Sequence, residues 1–306
     1  MAKNHSCPSG QQRFLAGPFG TNAVLGSKNE IMKRFIFSIL VFINCFTAFG
    51  QLKVNPNGKY FNYKGTNIYY EDTGEGEPLL LLHKFFGTAD LWKPYVETYS
   101  KHFRTIAIDM IGHGRSDIYN KDNLNFSHGD YAKIVLALMD SLNLEKVNAI
   151  GASGGGTVLL YLSTSEPERF KSIITIGAHI YFDKANREII ERTGMNAFMK
   201  GNEIHGPEKQ EYLAKAFWEF RKLSDSDPSF TPDKLNTIKA NWLVVLGDND
   251  PFVPLRLGIE MHRGILNSWL WVVPNGGHTP HLNPAIQTEF TRVSLEFFTG
   301  QWNKED

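Results

Sequence analysis

A serine lies between glycines in the segment Gly151-Ala152-Ser153-Gly154-Gly155. This G-x-S-x-G pattern directly follows the apolar segment KVNAI and directly precedes a segment with a helical pattern. A serine on such a strand-to-helix turn exposes its hydroxyl, and the small flanking residues allow the turn to close. We therefore predict that Ser153 is a nucleophile and that the N–H of Gly154 faces the oxyanion formed by its attack. The alternative is a glycine-rich turn with an idle serine.

A serine nucleophile needs a base, and the base needs an acid that orients it. Two later segments offer such residues at the ends of predicted strands. The strand WLVVL is followed by an acidic turn with Asp248 and Asp250, and the strand SWLWVV is followed by PNGGH, which contains His278. His281 lies three residues further on. Both turns follow the carboxyl ends of strands, where ligands bind in open α/β sheets.

Strand and helix patterns alternate along the chain after a predicted hairpin. This alternation predicts an α/β fold with an open, mostly parallel sheet and helices on both faces. The strands are predicted at 59–71 (the hairpin), 78–83, 105–109, 146–150, 172–176, 242–246 and 268–273, and the helices at 91–102, 130–144, 155–164 and 284–298.

One stretch, at about 179–240, breaks the alternation because it has helix patterns and no strand pattern. Asp183 is a suitable N-cap for a helix that runs to Gly194, and a second helix is predicted from Gly206 to Leu223. We expect this stretch to form a helical cap after a strand end, next to the ligand site.

These residues together resemble the α/β-hydrolase superfamily, of the type with a helical cap, over about residues 59–299. The resemblance implies that Ser153 is the nucleophile, that Asp250 rather than Asp248 is the acid, and that His278 is the base. It makes His281 a supporting or surface histidine.

The loop DMIGHGRS, residues 109–116, also matches the superfamily's D-x-x-G-H-G-x-S pattern. The match implies structural roles for Asp109 and His113, which would order this turn.

The clearest departure from the superfamily pattern is Lys84. The superfamily usually has His-Gly-x after its third strand, whereas this chain has His83-Lys84-Phe85. By resemblance, the backbone N–H groups of Phe85 and Gly154 form the oxyanion hole. We expect Lys84 to keep ordinary backbone angles and point to solvent. The alternative is that it perturbs the hole or adds positive charge beside it, with a backbone cost if glycine's left-handed conformation is needed there.

The resemblance implies a serine hydrolase that cleaves a carboxylic ester or a related acyl compound of small size, with no cofactor and no metal. The same three residues could instead serve peptide, carbon–carbon bond or peracid chemistry, or the chain could be a ligand-binding protein with a slow triad. A dinucleotide-binding loop is excluded because Ser153 replaces the second glycine of G-x-G-x-x-G. The cap pattern is rich in aromatic and methionine residues, and we expect a few of them to line an apolar pocket: Tyr181, Phe182, Met195, Phe198, Met199, Tyr212, Phe217, Trp218 and Phe220.

The composition argues against nucleic-acid binding, since the 306 residues contain 32 basic and 32 acidic side chains. Residues 1–50 are expected to be an upstream extension followed by a signal peptide, with Met32-Lys33-Arg34 before an apolar run at 35–50. That run is short for a membrane span, so we expect a periplasmic or secreted protein rather than an anchored one. The part after residue 50, predicted as the hydrolase domain at 51–306, contains no cysteine.

Overall fold

An eight-stranded sheet organises the described part of the chain. The computed structural model describes residues 55–119, 127–194, 203–220 and 228–302, together with 196 and 200. The first two pairings, β1 with β2 and β2 with β4, are antiparallel, and all later pairings are parallel. The strand order is β1-β2-β4-β3-β5-β6-β7-β8.

The strands are β1 (Gly58–Tyr63), β2 (Thr66–Thr73), β3 (Pro78–Leu82), β4 (Arg104–Ile108), β5 (Val147–Ala152), β6 (Phe170–Ile176), β7 (Asn241–Gly247) and β8 (Ser268–Val273). The helices are α1 (Lys93–Tyr99), α2 (His128–Ser141), α3 (Gly154–Ser165), α4 (Lys184–Thr193), α5 (Pro207–Phe220), α6 (Pro232–Leu235), α7 (Leu255–Gly264) and α8 (Pro284–Phe298).

The predicted fold class is confirmed: this is a mostly parallel α/β sheet with helices on both faces. Helix α7 was missed by the sequence analysis, because its short amphipathic pattern follows the acidic turn directly. In the predicted cap, α4 has Asp183 as N-cap and Gly194 as C-cap, as expected. Helix α5 begins at Pro207, and Leu223 lies outside the described residues. The predicted signal peptide at 1–50 also lies outside them and stays a prediction.

The central strand β3 shows why the sheet needs helices on both sides. Leu79 to Leu82 are all fully buried. Successive strand side chains point to opposite faces, and Leu80 and Leu82 join one hydrophobic cluster while Leu79 and Leu81 join another. A strand that is apolar on both faces is therefore shielded from water only in the middle of a three-layer structure. The carboxyl end of β3 lies beside the carboxyl end of β5, because Leu82 pairs with Gly151.

The turn from β5 to α3 packs tightly against the end of β3. A Cβ on Gly155 would lie 2.5 Å from the carbonyl oxygen of Leu82 and 2.6 Å from that of His83. By contrast, a Cβ on Gly154 would meet nothing closer than 3.6 Å. The second glycine of the G-x-S-x-G pattern is thus required by helix–strand packing. This packing holds the serine turn beside the loop that follows β3.

A buried charge cluster fixes that loop from the other side. The carboxylate of Asp109, which is fully buried, accepts hydrogen bonds from the backbone N–H of Ala89 at 2.6 Å and of Arg115 at 2.8 Å. The Arg115 side chain donates to the same carboxylate at 2.9 Å and to Asp90 at 2.9 Å. Ser116 donates to the carbonyl of Asp109. The expected structural role of Asp109 is confirmed, because it joins its own turn to the loop after β3.

The other residue expected to have a structural role, His113, is also buried within this turn. Its Nδ1–H donates to the carbonyl of Ile111 at 3.0 Å.

Across the residues that the structure describes, none of the helices is long and apolar enough to cross a membrane.

Replacement of Gly155 by alanine tests the tight turn. Because the new methyl group would overlap two carbonyl oxygens, Gly155→Ala is expected to lower the free energy of unfolding by about 1–3 kcal/mol. Gly154→Ala is the matched control and is expected to change this free energy by less than about 0.5 kcal/mol. Urea denaturation followed by fluorescence measures both. Equal stabilities for the two variants would contradict the packing argument.

Replacement of Arg115 by methionine tests the buried charge cluster. Its loss leaves the Asp109 and Asp90 carboxylates buried without their guanidinium, so we expect a loss of about 3–5 kcal/mol in the free energy of unfolding. Arg292→Met serves as the control, because Arg292 pairs with Glu289 and Glu296 on the exposed surface of α8. That variant is expected to stay close to the wild-type denaturation midpoint. A similarly small effect at Arg115 would show that the cluster contributes little.

Candidate active site

Three predicted residues from distant parts of the chain meet at the carboxyl ends of β5, β7 and β8. The Ser153 hydroxyl lies 2.8 Å from Nε2 of His278, and Nδ1 of His278 lies 2.9 Å from Oδ2 of Asp250. Ser153 follows β5, Asp250 follows β7, and His278 follows β8. With the imidazole neutral, Nδ1–H donates to Asp250 and Nε2 accepts from Ser153. This is the arrangement in which a histidine removes the proton of a serine.

The carboxylate of Asp250 is held in place by the backbone that follows it. Its Oδ1 accepts from the N–H of Phe252 at 2.8 Å and of Val253 at 3.0 Å, and its side chain is fully buried. Burial alone raises the pKa of a carboxyl, but the adjacent His278 and these two N–H groups outweigh it, so the pKa of Asp250 is lowered. Asp250 therefore stays ionised beside the imidazole.

The backbone of Ser153 has an unusual conformation. Its φ is +50° and its ψ is −117°, in a region that non-glycine residues rarely adopt. The N–H of Ser153 donates to the carbonyl of Ile176 on β6 at 2.7 Å, and its carbonyl accepts from Thr157 at 3.0 Å. The strained turn is thus stabilised by both the sheet and the helix, and it aims the side chain at His278.

The two predicted oxyanion donors lie next to each other. A Cβ on Gly154 would lie 3.6 Å from the backbone nitrogen of Phe85, so these two backbone segments run side by side. Gly154 is the first residue of α3, whose leading N–H groups have no partner within the helix. The positive end of the helix dipole adds to the field at this point. The arrangement is suited to two N–H groups binding one oxygen anion beside the Ser153 hydroxyl.

Sequence analysis missed two residues that shape this site, Gly177 and His179. Gly177 has a φ of +58°, and a Cβ there would lie 2.6 Å from the carbonyl of His278 and 3.3 Å from Oδ2 of Asp250. Only glycine allows β6 to end so close to this pair. The signal was present as a glycine directly after the buried strand SIITI.

His179 is buried behind the pair formed by His278 and Asp250. Its Nε2 lies 3.2 Å from the carbonyl of Phe252, and its ring stacks on Phe182 at 4.1 Å. Burial, with the nearby imidazole of His278, lowers the pKa of His179 to about 3. It is therefore a neutral side chain at neutral pH.

The alternative acid and base residues do not join the site. Asp248 is exposed, whereas Asp250 makes the contact with His278. His281 is fully buried rather than at the surface, and its ring stacks on Trp92 at 5.4 Å. Neither ring nitrogen of His281 has a hydrogen-bond partner among the described residues. Burial, with the charge of Lys84, lowers the pKa of His281 to about 3.

For Lys84, the expected ordinary backbone angles are confirmed, but the expected exposure to solvent is not. It is not among the described non-glycine residues with positive φ, so its backbone needs no glycine, but the residue is only 8% exposed. The expectation that it points to solvent is wrong, because its side chain lies in the interior close to His281. Burial lowers the pKa of Lys84 to about 8. Its carbonyl accepts from Nδ1–H of His83 at 2.7 Å and from the N–H of Gly87 at 2.9 Å, which fixes the loop after β3.

Aromatic rings from the cap cover the oxyanion loop. The ring of Phe217 on α5 lies 5.0 Å from that of Phe85 and 5.3 Å from that of Phe86. On the other side of the triad, the ring of Phe252 lies 5.1 Å from that of His278. These contacts place aromatic surface beside the oxyanion loop and beside the imidazole of His278, and Phe217 is one of the cap residues expected to line the pocket. The described residues include no cluster of three or more His, Cys, Asp or Glu that could hold a metal ion.

Comparison with known sequences agrees with this geometry. A family model described as alpha/beta hydrolase fold matches residues 77–194. An (E)-2-((N-methylformamido)methylene)succinate hydrolase from Acinetobacter baylyi is 33% identical over 237 residues, which cover 70% of this chain and 88% of that protein. The human serine hydrolase BPHL is 27% identical over 249 residues, which cover 76% of this chain and 83% of that protein.

Comparison with solved structures shows the same fold. A meta-cleavage product hydrolase from Pseudomonas fluorescens superposes with a TM-score of 0.68 at 23% identity, over 80% of this chain and 98% of that chain. A thermophilic esterase from Thermogutta terrifontis superposes with a TM-score of 0.65 at 22% identity, over 79% of this chain and 98% of that chain.

The buried amine of Lys84 leads to a stability prediction. A lysine pKa that falls from 10.5 to about 8 on folding corresponds to about 3 kcal/mol. The unfolded chain binds the extra proton between these pH values, so wild-type stability rises with pH there and the full penalty applies below about pH 8. Lys84→Met keeps the apolar stem without the charge and is expected to raise the free energy of unfolding at pH 7 by up to about 3 kcal/mol. This gain should decline between about pH 8 and pH 10.5.

Lys84→Gly is the matched comparison. It removes the stem as well as the amine, so the cavity it leaves is expected to offset the gain seen with methionine. Because Lys84 already has ordinary backbone angles, this glycine relieves no backbone strain. Urea denaturation from pH 6 to pH 10.5 measures both variants. A methionine variant with a pH-independent difference from wild type would contradict the buried ionisable amine.

Proposed function

Because the chain belongs to the α/β-hydrolase superfamily, we propose that it is a serine hydrolase that cleaves a carboxylic ester or a related acyl compound. The observation that carries this proposal is the continuous hydrogen-bonded chain from the Ser153 hydroxyl through His278 to Asp250. Membership of the superfamily supports a hydrolase, and the positions of these three side chains support acyl transfer through a serine.

The reaction begins when the Ser153 oxygen attacks the acyl carbon while its proton passes to Nε2 of His278. Asp250, held ionised by its backbone partners, orients Nδ1–H and stabilises the imidazolium that forms. The carbonyl oxygen becomes an anion and binds the N–H groups of Phe85 and Gly154. His278 then gives its proton to the leaving alcohol, and an acyl-enzyme remains on Ser153. Water, deprotonated by the same imidazole, releases the acid.

The acyl pocket in this proposal is apolar and of small to medium size. Phe85, Phe86 and Phe217 form one aromatic wall, and Phe252 lies against the imidazole of His278. Such a lining favours an uncharged acyl group with few polar atoms.

Cleavage of a carbon–carbon bond is the second candidate, favoured by the relatives. They include 2-hydroxy-6-oxononadienedioate/2-hydroxy-6-oxononatrienedioate hydrolases from Pseudomonas putida and Comamonas testosteroni, at 28% and 26% identity. In this reaction the bond next to a ketone breaks, and the leaving group is a carbon acid instead of an alcohol. The same serine, histidine and oxyanion donors would serve both reactions.

Replacement of Ser153 by alanine tests the proposal. Turnover of p-nitrophenyl acetate and butyrate is expected to fall by several orders of magnitude, while the denaturation midpoint stays unchanged. A fluorophosphonate probe should label wild type at Ser153, as located by peptide mass spectrometry, and should leave the alanine variant unlabelled.

Two controls give this experiment its meaning. Ser163→Ala, which removes a buried serine two residues before the end of α3, is expected to retain wild-type turnover and labelling. A 2-hydroxy-6-oxo dienoate tested in parallel separates the two candidate reactions. Wild-type esterase activity in Ser153→Ala would overturn the assignment of the nucleophile.

A further inference from the structure

The cap segment at 203–220 contacts the core through both backbone groups of one residue, Gly114. The N–H of Gly114 donates to Nδ1 of His205 at 2.8 Å, and its carbonyl accepts from Nζ of Lys209 at 2.8 Å. Gly114 has a φ of +51°, and a Cβ there would overlap the Asp109 carboxylate. This turn accepts only glycine and is held by the buried charge cluster. The cap segment is thus fixed to one of the most constrained points of the core.

The hydrogen bond from Gly114 requires a neutral His205. Since Nδ1 accepts a hydrogen bond from a backbone N–H, the imidazole carries its own proton on Nε2. Burial, together with the nearby His83 and Lys209, lowers the pKa of His205 to about 4. Five groups face this ring from the surrounding elements: His83 and Lys209 disfavour its protonation, the Phe86 carbonyl and Asp109 favour it, and the ring of His113 packs against it.

A row of aromatic rings joins this contact to the oxyanion loop. The ring of His205 packs edge-to-face on His113 at 5.4 Å, and His113 packs edge-to-face on Phe85 at 4.8 Å. His113 is itself fixed by its bond to the Ile111 carbonyl. Phe85 is the residue whose N–H is proposed to bind the oxyanion. A shift of His205 therefore removes one side of the packing that holds this loop.

We propose that neutral His205, together with Lys209, latches the cap to Gly114 and acts through His113 as a positioning residue for Phe85. Closure of the cap and alignment of the oxyanion hole are then one event. Protonation of Nδ1 of His205 would turn this acceptor into an N–H donor that faces the N–H of Gly114. The hydrogen bond between them would be lost, so the latch opens at acidic pH. The part of the inference that concerns Phe85 rests on the proposed function, whereas the latch itself does not.

The experiment compares two replacements of His205 in the full chain at pH 7.5. Asparagine places an amide oxygen near the position of Nδ1 and keeps the acceptor, whereas leucine keeps a similar apolar volume and loses it. Hydrogen–deuterium exchange measures the protection of the peptides covering 203–220, independently of any activity. Lys209→Met removes the second half of the latch, and Lys215→Met is its control, because Lys215 lies on the same helix and pairs with Glu211.

In His205→Leu and Lys209→Met, exchange across 203–220 is expected to rise about tenfold, the size expected for loss of one hydrogen bond, while peptides from β3 and β5 stay protected. His205→Asn and Lys215→Met are expected to match wild type. Below pH 6, wild type should lose cap protection as the pH falls towards 4, and the asparagine variant should keep it. Unchanged exchange in a folded leucine variant, or an asparagine variant as exposed as leucine, would overturn the latch.

Ester turnover then tests the link to Phe85. The leucine variant is expected to lose about tenfold in kcat, with restoration by asparagine, because misaligned donors act on the transition state. A rise in KM alone would mean that the cap only retains substrate, and would overturn the positioning role. If wild type hydrolyses none of the esters tested, the proposed function fails, while the exchange result still decides whether the latch exists.

Discussion

The close approach of the serine turn to the carboxyl end of β3 is the constraint from which the site follows. Gly155 has no room for a side chain, because the carbonyls of Leu82 and His83 lie against it. This contact brings the first N–H groups of α3 and the N–H of Phe85 to the same place. Ser153 keeps its strained conformation because its backbone N–H bonds to β6 and its carbonyl bonds to α3. Neither donor nor nucleophile can shift without breaking the contact between helix and strand.

Much of the fold was predictable because β3, β5 and β7, which carry most of the site, are buried on both faces. Runs such as PLLLL and WLVVL are too apolar for an exposed strand and too short for a helix, which indicates buried strands. The residues that follow these strands lie at one edge of the sheet. The order of serine, acid and histidine could therefore be found from sequence. Helix α7 was missed because its amphipathic pattern is short and has no N-capping side chain.

Residues that depend on three-dimensional packing could not be predicted in the same way. Lys84 sits at a position where resemblance suggested either strain or exposure, and the structure instead buries its stem near His281. Gly177 matters only because Asp250 and His278, more than seventy residues further along the chain, approach its α-carbon. A sequence gives residue types and local periods, whereas these roles arise from what lies opposite each residue. Buried histidines show the same limit, since their neutral state is set by their surroundings.

The hydrogen bond between Ser153 and His278 joins residues that are 125 positions apart. The histidine follows β8, the last strand at the edge of the sheet, so its position beside the serine depends on the pairing of every parallel strand from β5 onward. A chain that has folded only as far as β6 contains the serine turn and its glycines but has no proton acceptor. The hydrogen-bonded arrangement of Ser153 and His278 consequently exists only in the complete sheet, and a chain truncated before β8 would lack it.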